Sequence, residues 1–173
     1  MLLATYALAT LEIEQKCERS AIHYLQNFLA QALASDEFDR AALTIQSERL
    51  IFLAEFRHWR RLESVLFPAA LRNASNDATQ SLQTLENLGR AGVDMLPHLR
   101  KSLHPTSHFG KRQIARACRR VNAYCQNLLQ RLACEEEQLL PLAQRILSAD
   151  AWLKFGTEFL VQDSHPVANS DKL

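Results

Sequence analysis

Residues 110–147 read GKRQIARACRRVNAYCQNLLQRLACEEEQLLPLAQRIL. Apolar residues in this stretch recur at steps of three, four or seven, which is the period of an amphipathic α-helix rather than of a strand. These positions are Cys118, Val121, Cys125, Leu128, Leu132, Leu139, Leu142 and Ile146. The stretch predicts one long helix, and Glu135 interrupts its apolar stripe.

The same helical period recurs along the rest of the chain. Connections of a few residues make neighbouring helices antiparallel. We therefore predict an all-α fold, an up-down-up-down four-helix bundle over residues 1–160 with a short fifth C-terminal helix, followed by a mobile tail over residues 161–173. The predicted helices span about 5–33, 37–66, 77–103 and 110–147, and the short helix begins after Ser148, whose hydroxyl can cap it.

The second and third helices carry more detailed predictions. We assign the core-facing stripe of the second helix to Ile45, Phe52, Phe56, Trp59 and Leu66. A leftover apolar row at Leu43, Leu50 and Leu53 is then free to face a dimer mate or the fifth helix. Pro97 should kink the third helix, because proline removes a backbone hydrogen bond and crowds the preceding turn.

The composition excludes several classes of function. The 173 residues carry a net charge of +1, which gives no general attraction to nucleic acid or an anionic membrane. The four glycines form no phosphate-binding loop, and no Ser-His-Asp or Cys-His arrangement can be singled out. The N-terminus lacks the pattern of a signal peptide, and the four cysteines form no CxxC motif. We expect a cytoplasmic protein with reduced core cysteines and no membrane contact.

Polar or small residues interrupt the apolar stripes at broadly similar depth in all four helices. They are Gln15 and Glu18, Glu63, Gly89 and Gly92, and Glu135. Carboxylates inside an apolar stripe are costly unless they are paired or bind a cation, so the pattern predicts a shared polar layer in the core. In the alternative interpretation, Glu63 and Glu135 lie at stripe edges and reach water.

Four segments, in order, resemble bacterial hemerythrin (HHE-type) domains from about residue 10 to residue 160. They are IEQKCERSAIHYLQNFL (13–29), LESVLFPAAL (62–71), LENLGRAGVDML (85–96) and EEEQLLPLAQRILSADAW (135–152). In that family, histidines from four helices and two bridging carboxylates hold two irons. The resemblance therefore implies the bundle fold and a place in the core where a metal site would lie.

The histidines that the resemblance implies are missing from this chain. Their positions read Gln15, Trp59, Gly89, Val93 and Arg131, while Glu63 and Glu136 keep the two carboxylates. Carboxylates and one neutral Gln bind divalent metal weakly, and Arg131 adds a fixed positive charge where a cation would lie. We expect no cofactor; if a metal does bind, the candidate ligands are Glu63, Glu136, Glu135 and His58.

Arg131 is expected to replace the charge of the metal by pairing with Glu63 or Glu136, and Trp59 is expected to fill the space left at Gly89 and Val93. The resemblance then favours a non-enzymatic binding or regulatory module, monomeric or homodimeric, that acts on an unidentified protein partner or small ligand. The alternative is an iron protein that binds or senses oxygen or nitric oxide, or handles iron.

Two weaker patterns complete the predictions. His98, His104 and His108 cluster near one connection, where they could form a surface zinc site, although loop histidines usually have no such role. Basic residues at the start of the fourth helix could bind a phosphate-bearing ligand, but no aromatic residues alternate with them, so we do not expect nucleic acid as a partner.

Overall fold

The computed structural model describes residues 2–34, 38–59, 67–73, 76–104 and 110–164, and these are helical with short connections and contain no strand. The predicted all-α class is confirmed. Seven α-helices and two π-helical segments follow one another in this part of the chain. They are α1 (Leu2–Ala34), α2 (Arg40–Ile51), π1 (Phe52–Trp59), α3 (Phe67–Asn73), α4 (Asn76–Leu103), α5 (Lys111–Cys134), π2 (Glu135–Leu139), α6 (Leu140–Ile146) and α7 (Ala149–Ser164).

The helix ends agree with the sequence at two caps. The side chain of Asp39 accepts a hydrogen bond from the Ala42 backbone N–H at 2.9 Å and starts α2. Ser148 Oγ accepts from the Ala151 N–H at 3.2 Å and starts α7, as predicted. The helix α7 continues to Ser164, past the predicted start of the tail, and residues 165–173 lie outside the described part of the chain.

Two predicted helices differ in detail from the structure. The stretch 110–147 is interrupted by π2, and Pro141 lies in the first turn of α6, where a helix tolerates the missing N–H of proline. The helix α4 continues through Pro97, and the expected kink there stays a prediction. None of the described helices combines the length and the apolar character that a membrane crossing requires.

The helices pack around two apolar clusters. The helix α5 contacts α4 and α1, and α1 also contacts α2 and α7. One cluster joins the N-terminal half of α1 to α7 and includes Leu11, Trp152, Phe155 and Phe159. The other joins the C-terminal half of α1 to α2, α4 and α5 and includes Ile22, Leu50, Leu99, Val121 and Leu128. Buried polar residues of α1 and α5 lie between the two clusters, at the depth where the sequence predicts a polar layer.

The predicted core face of the second helix is wrong. Ile45, Phe52 and Phe56 are 64%, 47% and 53% exposed, whereas Leu43 and Leu50 are buried. Ile51 and Ala54 join the buried row, while Leu53 is half-buried. Both rows of this helix are apolar, so periodicity alone could not choose between them. The row predicted to face the core, Ile45, Phe52 and Phe56, therefore faces solvent.

Candidate functional site

The guanidinium of Arg131 lies at the centre of the buried polar layer and is 0% exposed. Its Nη1 donates hydrogen bonds to Oε1 and Oε2 of Glu55 at 3.1 and 3.2 Å, and its Nη2 donates to the Ala54 carbonyl at 3.1 Å. Arg131 lies on α5, and both acceptors lie on π1. This contact ties the second helical region of the chain to α5 by charge-assisted hydrogen bonds, which are among the strongest available in a protein interior.

Two more carboxylates approach the same guanidinium. Glu18 Oε1 on α1 lies 3.6 Å from Nη2, and Glu135 Oε1 on π2 lies 3.9 Å from Nε. Both side chains are 1% exposed or less. Burial by itself lowers the pKa of Arg131, but the fields of Glu18, Glu55 and Glu135 outweigh it, so the pKa is raised above its ordinary value. Arg131 is a permanent cation in this site.

Two polar side chains extend the network. Tyr124 OH donates a 2.8 Å hydrogen bond to Glu55 Oε1, and Gln15 Nε2 donates to Glu135 Oε2 at 3.4 Å. Burial, and after it the charge of Glu55, raises the pKa of Tyr124 well above 10. We call these six residues the Arg131 cluster: Gln15, Glu18, Glu55, Tyr124, Arg131 and Glu135.

A glycine on α4 leaves the space that the cluster fills. A Cβ at Gly92 would lie 2.8 Å from Asn127 Oδ1, 3.4 Å from Glu55 Oε1 and 3.8 Å from Arg131 Nη1. Asn127 is itself buried, and its Nδ2 donates to the Leu88 carbonyl at 3.1 Å. The small residue predicted to interrupt the third apolar stripe thus lets α4 approach the ionic groups.

Each π-helical segment contributes one carboxylate, Glu55 from π1 and Glu135 from π2. A π-turn holds one more residue than an α-turn, so it changes the direction in which the following side chains point, and such turns are frequent at functional sites. Arg131 and Glu135 are four residues apart, at the border between α5 and π2. The chain therefore departs from regular helix where it supplies charge to the cluster.

The structure brings together four of the side chains singled out from the sequence, Gln15, Glu18, Arg131 and Glu135. The expected pairing of Arg131 with Glu136 is wrong. Glu136 is exposed and forms an ion pair with Arg19 at 2.7 Å, with side chains 41% and 36% exposed. Glu63 lies outside the described residues, so its pairing with Arg131 stays a prediction.

The structure places the other positions at which the resemblance implies metal ligands. Gly89 is buried on α4, but Val93 is 47% exposed and does not face the cluster. The residue of α4 that faces the cluster is Gly92. The backbones of His58 and Trp59 belong to π1, while their side chains lie outside the described part. The expectation that Trp59 fills the vacated space stays a prediction.

Sequence reasoning missed Glu55, Tyr124 and Asn127. A signal for two of them was present, because Tyr124, Asn127, Arg131 and Glu135 follow one another at steps of three, four and four along one side of the fourth helix. Such a row of polar residues predicts a buried network when it runs beside the apolar stripe. Glu55 was hidden by the wrong choice of core face for the second helix.

The histidines and cysteines do not form a second site in the described chain. His98 and His104 are exposed, and the His98 carbonyl accepts a 2.9 Å hydrogen bond from Arg120; His108 lies outside the described residues. Among the described residues, no group of three or more His, Cys, Asp or Glu side chains is placed to hold a metal. All four cysteines are free thiols, and burial raises the pKa of Cys125 to about 12.

The arrangement is suited to stabilising fixed charges rather than to transferring protons. Glu18, Glu55 and Glu135 are at most 8% exposed, and each faces a guanidinium that stays protonated. No family model, curated protein or solved structure matches this chain. The likeness to hemerythrin-like domains therefore rests on the four sequence segments.

Proposed function

We propose that the chain is a hemerythrin-like, up-down-up-down four-helix bundle in which the Arg131 cluster has replaced the metal site, and that it works as a non-enzymatic binding or regulatory module. One observation carries the proposal. The fully buried Arg131 guanidinium lies 3.1, 3.6 and 3.9 Å from carboxylates of π1, α1 and π2. The positive charge stands where the resemblance implies metal.

The replacement has a physical basis. A metal in a bundle core neutralises carboxylates and joins helices through several bonds at once. A guanidinium supplies a permanent positive charge and five N–H donors in a planar fork, so one side chain can do both. Here the donors go to Glu55 and to the Ala54 carbonyl, while Glu18 and Glu135 add charge contacts. The bundle would then keep its fold without a cofactor.

The proposed lack of catalysis has two reasons, the burial of the carboxylates and the protonated state of Tyr124. The three carboxylates are closed off from solvent, and burial and charge keep Tyr124 in its protonated form. A general base needs contact with a substrate and a pKa near the working pH. The module would therefore act through its surface, in the cytoplasm, on a protein or small-molecule partner.

One observation favours the alternative, an iron-binding protein. Carboxylates of α1, π1 and π2 converge on one place in the core. Carboxylate oxygens can bind metal, and helix-bundle cores are where such sites are built. Of the four candidate ligands, Glu135 lies in the cluster and Glu136 on the surface, while the side chains of His58 and Glu63 lie outside the described part.

A metal-rescue experiment separates the two functions. Arg131→Ala leaves three carboxylates and an open space, so Mn²⁺ or Zn²⁺ should raise the melting temperature of this variant and leave that of the wild type unchanged. Arg19→Ala, which removes a surface partner of Glu136, is the matched control and should not respond. The replacement hypothesis fails if metal stabilises the wild type as much as Arg131→Ala, or if added Fe(II) and oxygen give the wild type a visible absorption band.

A further inference from the structure

Five exposed residues form one row along the outer side of α2 and π1. Ala41, Ile45, Arg49, Phe52 and Phe56 follow at steps of four, four, three and four, which places them on one helix face. Ile45, Phe52 and Phe56 are 64%, 47% and 53% exposed. The rings of Phe52 and Phe56 stack with centroids 6.4 Å apart. We call these five residues the outer row.

The outer row is not explained by the fold itself. The opposite side of the same helix already provides the core contacts through Leu43, Leu50, Ile51 and Ala54. The segment from Ile45 to Phe56 is about 17 Å long at the helical rise per residue. Single exposed apolar residues are ordinary on a soluble protein, whereas a row that holds an isoleucine and two stacked phenylalanines is a candidate contact surface.

We propose that a second copy of this chain covers the outer row, with the two α2–π1 segments antiparallel about a two-fold axis. If the axis passes between residues 50 and 51, Arg49 of each copy faces Phe52 of the other, and Ile45 faces Phe56. The sequence is self-complementary in this register. A guanidinium lies over an aromatic ring, and an aliphatic side chain packs on an aromatic one.

Charge favours this direction over the parallel one. In a parallel pair in register, Arg49 would face Arg49 of the other copy, and two like charges would be brought together in a partly dry contact. The antiparallel pair replaces that repulsion with two cation–π contacts. Glu48 and Arg100 form an ion pair at 2.9 Å beside the row, with side chains 43% and 48% exposed, and supply a polar rim.

The available area indicates a weak dimer. An aromatic side chain offers roughly 200 Å², so the exposed fractions of Phe52, Phe56 and Ile45 amount to about 300 Å² per copy. Two copies bury about 600 Å² through these side chains, and Ala41, Arg49 and Leu53 raise the total toward the ~1,000 Å² of a specific contact. We expect a reversible dimer whose population depends on concentration in the micromolar range.

Sedimentation velocity of the full chain over a concentration series tests the surface. Phe52→Lys should raise the dimer dissociation constant at least about tenfold, because the change enters the interface twice and places each new ammonium opposite Arg49 of the other copy. Leu153→Lys on α7 is the matched control, since Leu153 is 52% exposed and lies outside the row; it should leave the constant unchanged. A wild type that stays monomeric at several hundred micromolar, or equal effects of the two variants, overturns the proposal.

Cysteine cross-linking tests the register. In a Cys17→Ser background, which removes the exposed native thiol, Ile45→Cys and Phe56→Cys proteins are mixed and oxidised. The antiparallel pair predicts mixed 45–56 disulfides in excess of 45–45 and 56–56 products, because opposed positions come within disulfide distance. Predominant 45–45 and 56–56 products would refute the arrangement. This inference does not depend on the proposed metal-free core, since Phe52→Lys should leave the metal response of Arg131→Ala intact.

Discussion

Replacing Arg131 by methionine removes the charge of the buried guanidinium while keeping a side chain of similar length. Glu55 would lose two hydrogen bonds of 3.1 and 3.2 Å, and Glu18 and Glu135 would lose the nearest cation in the described structure. Breaking a buried ion pair from one side typically costs about 3–5 kcal/mol, because the remaining charge stays buried without compensation. We expect a cost in that range.

This loss of unfolding free energy corresponds to a drop in melting temperature. In a chain of this size, 1 kcal/mol corresponds to roughly 2–4 °C, so Arg131→Met should melt about 6–20 °C below the wild type. Arg131→Ala should melt lower still, because it also leaves a cavity. Circular dichroism or calorimetry at neutral pH, with urea unfolding as a second measure, gives both values.

Two controls make this experiment decisive. Arg19→Met breaks the exposed ion pair with Glu136 and should cost at most about 1 kcal/mol. Adding Glu55→Gln to Arg131→Met should recover part of the loss, since the two residues act as a pair and their effects are not additive. The proposed role of Arg131 is refuted if Arg131→Met and Arg19→Met melt within about 2 °C of each other.

Three further predictions concern single sites. Gly92→Ala should lower the free energy of unfolding, measured in urea, by about 1–3 kcal/mol, although alanine is favoured over glycine in a helix by about 1 kcal/mol. The same change should cost less in an Asn127→Ala background, where the 2.8 Å contact is absent. The free energy of unfolding should fall as pH rises from 9.0 towards 12, because the thiol of Cys125 releases its proton near 9.0 in the unfolded chain and keeps it to about 12 in the folded chain. Cys125→Ala should make this fall less steep, and Tyr124→Phe should also reduce it above pH 10. An unchanged pH dependence in both variants would contradict the assignment. A thiol reagent should modify Cys17 quickly in the native chain and all four cysteines in urea, and fast labelling of native Cys17→Ser would show that the other thiols are accessible.

Much of the core could be predicted because apolar periodicity reports which residues are buried. Leu128 and Leu132 were placed correctly by their spacing, and Arg131 and Glu135 were noticed because they break that spacing. The second helix shows the limit of the method. Its two sides are both apolar, so the choice between Leu50 and Phe52 depends on contacts with α1 and α4 that no local pattern contains.

The main partner of Arg131 lies in a distant part of the chain. Glu55 is 76 residues from Arg131 and lies on the side of the second helix that was not predicted to face the core. Glu136 was expected as a partner because of the resemblance, whereas the four-residue spacing of a helix places Glu135 beside Arg131. Helical spacing therefore indicated one partner that the resemblance did not.

Elemental analysis tests the proposed metal-free core most directly. It is carried out on purified, untagged protein produced with iron supplied, and is combined with melting before and after chelation. We predict less than about a tenth of an equivalent of tightly bound iron, zinc or manganese, and the same melting temperature in both states, because the Arg131 cluster supplies its own cation. Two irons per chain, with a melting temperature that drops on chelation, would contradict the proposal that Arg131 stands in place of the metal.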